Sequence, residues 1–343
     1  MVDANIRPFY DRIADSLGGG VLSRVGISAT LGLGFFLLHY ASVGIAIVRD
    51  WSWFLAPLIA ATMLCVYYAT ERLRDVIMIL VAQSSESEGK SALTTAHRIL
   101  ADRNFVLSGV VFGGLNCAMG FGFGLPYAAY ATRITILLGY FVAGFLCGTA
   151  VLGIYAVCYL VNTYAPKLRP SLDLTAPDNC GGTLFIGEAL IAFSSVTLLI
   201  GVLISVYILK TPWSGGDTGE VFILKWFWIT LPYILSVIVL LVPAIPLHNE
   251  LVAYKRGQEA HFKSRLAQIR KSLDDDAGDP SGRKELRDAH DFNQGARRHL
   301  HSMRTWPFDV TSGARYLIVL AGNLAMTVNS ALSWIKSVGA WWH

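Results

Sequence analysis

The residues able to carry chemistry fall into three settings. His39 lies near the middle of an apolar stretch at 27–48, Glu188 about one turn into another at 184–209, and Lys225 near the start of a third. An ionisable side chain at that depth is costly to keep charged, so it pairs, changes protonation or faces water, as proton relays and ion paths require. A neutral histidine bonded to a neighbouring helix is the plainer account of His39. Asp178 and Asn179 precede Cys180-Gly181-Gly182, a tight turn whose amides suit an anion and whose side-chain oxygens suit a cation. An Asx-turn opening a helix uses the same residues without a ligand. Asn323, Thr327 and Ser330 recur at i, i+4 and i+7, flanked by Asn329, and so form a polar edge along one helix. In a membrane such an edge either bonds another helix or lines water, which makes these four the candidate pore-lining residues.

Other chemistry finds no pattern. His290, His299 and His301 lack the spacing of a closed zinc site, and no H-E-x-x-H, G-x-S-x-G or paired intramembrane carboxylate is present. The sequence therefore predicts no enzyme activity, no metal and no cofactor.

The elements that must position these residues belong in a lipid bilayer. Hydrophobic residues make up 54% of the 343 and charged ones 15%, too few to cover a water-facing surface. The fold class expected is all-α: a polytopic integral membrane protein with seven transmembrane helices, or six if the last is interfacial. The net charge of +4 sits largely beside apolar spans, so it reports orientation and gives no nucleic-acid signal. Four of the five cysteines, Cys65, Cys117, Cys147 and Cys158, lie within apolar segments, which argues against a disulfide framework. Arg24 is followed by a span too long for a cleavable leader.

The stretch at 222–273 organises the chain, because an apolar run to 247 passes without a turn signal into a charged one. Around it the sequence divides into four parts. Residues 1–26 form an amphipathic helix with Ile6, Phe9, Tyr10, Ile13 and Leu17 on one side, suited to the membrane surface or to the protein's own cytoplasmic part. Residues 27–246 hold six spans and a cytoplasmic hairpin at 71–104. Within them Gly109 with Gly113, and Gly144 with Gly148, have the spacing that lets helix backbones approach closely in lipid. Residues 247–314 read as a cytoplasmic helical arm followed by a polar linker from Asp274 to Arg304. In the arm Phe262, Leu266, Ile269 and Leu273 make a short seam for a helix of the same chain or another subunit, so 248–273 is the candidate surface for a cytoplasmic partner. Residues 315–343 hold the seventh span, at 316–335, and an outer tail.

Orientation follows from Lys and Arg. Twenty-two lie in the regions assigned to the cytoplasm and four in the outer loops, which predicts a multi-pass cell-membrane protein with its N-terminus cytoplasmic.

Three functions fit. The first is an oligomeric ion channel, a homo-oligomer in which the last helix of each subunit lines the pore. That layout is similar to insect odorant-receptor channels in span number, N-terminal orientation and the place of the pore helix; the similarity is one of layout, and no residue role follows from it. The second is a sensor or scaffold whose cytoplasmic arm recruits a partner. The third is a secondary transporter using His39, Asn116 and the Glu188 carboxylate, although the loop lengths show no internal repeat.

Overall fold

The computed structural model describes residues 7–125, 129–168, 172, 176, 178–213, 219–275 and 280–339, with the side chains of 219–220, 274–275, 280–282, 310 and 326–339 outside that description. The described fold is all-helical. In order it comprises α1 (Phe9–Ser16), α2 (Gly20–Val43), α3 (Ala46–Arg49), α4 (Leu55–Gln83), α5 (Glu86–Ile99), α6 (Asp102–Phe123), α7 (Tyr130–Tyr164), α8 (Leu184–Lys210), α9 (Gly219–Asp275), α10 (Pro280–Ser302) and α11 (Val310–Gly339). Six helical stretches among the described residues are long and apolar enough to cross a membrane: Gly20–Val43, Ser52–Gln83, Asp102–Phe123, Tyr130–Lys167, Leu184–Lys210 and Val221–Leu273.

The central helices are α4 and α7. The first packs on α2, α7 and α8, the second on α2, α6 and α9. Between α6 and α7 the glycine pairs interlock. A Cβ on Gly144 would lie 2.6 Å from the Phe112 carbonyl oxygen, and one on Gly148 would overlap that of Ser108. Hydrogen bonds cross the same seam, from the Ser108 hydroxyl to the Gly148 carbonyl at 2.7 Å and from the Asn116 amide to the Tyr140 carbonyl at 3.1 Å. Lipid supplies no hydrophobic drive between helices, so close backbone contact and such bonds take its place.

The N-terminal helix docks inside the protein's own fold. Tyr10 is buried and its hydroxyl meets that of Thr70 on α4 at 2.7 Å, while the Phe9 amide donates to Asp102 at the start of α6. Of the apolar side expected along 6–17, Phe9 and Tyr10 are thus used on neighbouring helices, Ile13 and Leu17 stay exposed, and Ile6 lies outside the described residues; a short ion network fixes the helix. The Asp11 carboxylate, only 4% exposed, lies 2.7 Å from Arg74 and 3.8 Å from Arg24, and Arg24 reaches Glu71 at 3.2 Å. A carboxylate so buried is tolerable because two cations face it.

The segment expected to be a polar linker, 274–304, is mostly helix. α10 packs along the C-terminal part of α9, burying Asn293 and Leu300 together with Leu266 and Ile269. Its inward positions, Leu286, Ala289, Asn293, Ala296 and Leu300, follow a three-four spacing that charged neighbours conceal in the composition. The seam on the arm is therefore covered from within the chain. Pro232, Pro243 and Pro246 all lie inside α9, which nevertheless continues as one helix of 57 residues, roughly 85 Å at 1.5 Å per residue.

Candidate functional site

The space enclosed by α4, α6, α7, α8 and α9 is incompletely filled. One chamber of about 80 Å³ is bounded by Leu58, Asn116, Tyr140, Tyr207, Trp213 and Trp228. A second, of about 110 Å³, is bounded by Cys65, Ala69, Ile154, Phe193, Ile200 and Leu235. They adjoin through Thr62, Phe112, Cys147, Ile204 and Trp228, which line both. A third space of only about 10 Å³ meets the second at Ala69, Ala150 and Phe193 and ends on Thr70 of α4 and Tyr10 of the docked N-terminal helix.

Among the described residues lining these chambers none is charged. Their hydroxyls are largely committed. Thr62 donates to the Leu58 carbonyl at 2.7 Å, Thr149 to Leu146 at 2.7 Å and Thr197 to Phe193 at 2.9 Å. The Tyr140 and Tyr207 hydroxyls bond each other at 2.9 Å, and the Trp213 indole donates to the Ile208 carbonyl at 2.8 Å. Asn116 is the strongest polar group facing the interior.

The candidates drawn from sequence lie elsewhere. His39 is buried between α2 and α7, with Nδ1 2.9 Å from the Thr135 hydroxyl and its ring stacked on Phe35 at 5.5 Å. Glu188 is exposed near the start of α8, one residue from Gly187, whose Cα is covered by the Pro307 carbonyl. Lys225 is half-buried on α9. None of the three lines a chamber, so the ionisable groups that suggested transport are not brought together.

Asp178 serves the backbone. Its Oδ1 accepts from the amides of Cys180 at 2.8 Å and Gly182 at 3.1 Å, and its Oδ2 from Leu184 at 3.2 Å. The turn amides proposed for an anion thus already hold a carboxylate, and the carboxylate proposed for a cation is engaged by three donors. Asn179 adopts a left-handed conformation, φ 53°, and its carbonyl accepts from the Arg304 amide at 2.7 Å. That bond ties the turn to the strap before α11. Cys180 is buried beneath it, and burial pushes its thiol up to about 11. The candidate ligand site at 178–179 is in this geometry a cap for α8.

Of the polar edge on α11, Asn323 is half-buried, and the side chains of Thr327, Asn329 and Ser330 lie outside the described residues. Helical register puts Tyr316 on the same side as Asn323, Thr327 and Ser330. The buried Tyr316 hydroxyl meets that of Ser236 on α9 at 2.7 Å, within a cluster that includes Ser194 of α8.

Sequence reasoning singled out Asn116 but missed Trp228, Tyr140 and Tyr207 as its companions. The one local signal is the small residues on the cavity side, Ala69, Gly120, Ala143 and Ala150. Among the described residues no group of three His, Cys, Asp or Glu side chains is placed to hold a metal ion. Compared with known protein families, curated proteins and solved structures, the chain matches none.

Proposed function

We propose that this protein is a membrane-embedded sensor in which the filling of the intramembrane chambers sets the state of a cytoplasmic helical hairpin that recruits a partner. One observation carries the reading: α9 contributes Trp228, Leu231, Pro232 and Leu235 to the chamber wall and runs unbroken to Asp275, where α10 packs along it. Whatever occupies the chambers presses on the same helix that forms the hairpin. With the N-terminus inside, as the Lys and Arg distribution favours, the hairpin lies in the cytoplasm and the protein in the cell membrane. Since Leu266 and Ile269 are covered by α10, the partner surface at 248–273 is its outer polar face, where Arg265, Arg270 and Lys271 are exposed and suit an acidic partner.

The test is a distance measurement in lipid nanodiscs between spin labels introduced at Ser87 on α5 and Gln268 on α9, both exposed. Filling the central chamber with Ala150→Phe is expected to shift the distance distribution. An unchanged distribution removes the coupling and with it the sensor.

An oligomeric channel with α11 as a seventh span is the second reading. It is favoured by the apolar flank of α11, where Leu317, Ile318 and Val319 are exposed for a neighbouring subunit to cover. Against it stands the register of Asn323, Thr327 and Ser330 with Tyr316, which faces the same chain. Planar-bilayer recording separates the two: single-channel current altered by Asn323→Leu establishes the pore, and a silent bilayer disposes of it.

A further inference from the structure

We infer that the two larger chambers bind a neutral single-chain amphiphile, a long-chain or isoprenoid alcohol, with its chain between α4, α7, α8 and α9 and its hydroxyl at Asn116. The sensor reading is needed only for what binding does; the site stands on its own geometry.

The chain end is set by the second chamber. Cys65, Ala69, Ile154, Phe193, Ile200 and Leu235 offer hydrocarbon or weakly polar sulfur, and the hydroxyls of Thr62 and Thr197 are spent on their own helices. A buried water needs about two to four polar partners, and among the described lining residues the one buried side-chain donor without a partner is the Trp228 indole N–H, on the wall shared with the first chamber. The space therefore favours hydrocarbon, and at about 110 Å³ it is several times the roughly 10–15 Å³ that one water needs.

The head end is set by Asn116. Its amide nitrogen donates to the Tyr140 carbonyl at 3.1 Å, leaving the side-chain oxygen and the second amide hydrogen for a ligand. A hydroxyl, which both donates and accepts, matches that pair. The absence of charge among the described lining residues decides the rest. A carboxylate or ammonium head would lose its hydration with no counter-ion to replace it. Fatty acids and cationic amphiphiles are thereby disfavoured and the uncharged alcohol selected.

The experiment uses the full chain in nanodiscs of neutral lipid and a diazirine-bearing analogue of hexadecanol, photolysed and mapped by mass spectrometry. Label is expected on Cys65–Ala69 and Phe193–Ile200, displaced by hexadecanol and about tenfold less well by palmitate. Ala150→Phe is expected to lower labelling about tenfold, with Ile200→Trp as the substitute if that variant does not fold. Asn116→Leu is expected to narrow the gap between hexadecanol and palmitate. Label spread over the exposed faces of α2 and α6 and indifferent to competitor overturns the site, and palmitate competing as well as hexadecanol overturns the neutral head. Displaceable labelling without any change in the Ser87–Gln268 distance keeps this site and ends the sensor; a distance that answers to Ala150→Phe without displaceable labelling does the reverse.

Discussion

Two neighbouring faces of α7 meet their partners in opposite ways. On one, Gly144 and Gly148 bring the helix against α6 until the Cα of each glycine lies close to backbone of the other helix. On the next, Cys147, Ala150 and Ile154 look across open space toward α8 and α9. Both faces are apolar and in the same solvent, so hydrophobicity cannot be what closes one and leaves the other open. The closed seam has small residues on both helices at matching heights, Gly109 and Gly113 opposite Gly148 and Gly144. Across the open face the small residues of α7 stand opposite Phe193 and Trp228, whose rings hold the helices apart. In lipid, reciprocal smallness makes a seam, and smallness on one side makes a cavity.

The largest effect should come from spoiling the closed face. Gly148→Leu inserts atoms where the Ser108 carbonyl already sits and is expected to cost about 3 kcal/mol or more, read as a lowered melting temperature or loss of the monodisperse peak in detergent. Gly114→Ala, on the same seam helix but with nothing within 4 Å, should stay within about 0.5 kcal/mol of the parent. Equal behaviour of the two would dissolve the distinction between the faces.

A middle-sized effect sharpens it by moving out of the lipid, where a hydrogen-bonded cap replaces small residues. Asp178→Ala strips three amides at the head of α8 and is expected to cost about 1–2 kcal/mol in a thermal melt. Calcium or phosphate should leave the parent's melt where it is; a rise with either would restore ligand binding to 178–179.

The smallest effect concerns Cys180 in the same turn. With its thiol pushed up to about 11 by burial, maleimide should label it slowly at pH 8 compared with a cysteine placed at exposed Gln268, and faster as pH climbs toward 11. The unfolded thiol titrates first, so its contribution to stability is present below about pH 9 and is lost as pH rises toward 11. Rapid labelling at pH 8 would mean that the strap over the turn opens.

Much of the bundle was legible because its signals are local. Apolar runs of the right length define the six spanning stretches, glycines four apart announce the α6–α7 contact, and Asp178 before a Gly-Gly pair is a turn in any context. α10 was hidden because its inward stripe includes Asn293 and small alanines, so polarity outvoted periodicity. That the first helix packs on the protein itself was one of two readings, but the partner of Tyr10 was not legible, nor was the shape of the chambers around Asn116. Both depend on which helices become neighbours: Thr70 meets Tyr10, and Asn116 meets Tyr140, only after α1, α4, α6 and α7 have assembled. Depth alone picked out His39 and Glu188, but depth does not say which way a residue points on its helix.

The length of α9 beyond its last proline carries a mechanical consequence. From Pro246 to Asp275 the helix extends roughly 44 Å at 1.5 Å per residue, so a change of about 10° in direction at that proline would sweep its far end through about 8 Å. That arc exceeds one full helical turn, and leverage alone turns a slight rearrangement beside the chambers into a large displacement of the α9–α10 hairpin.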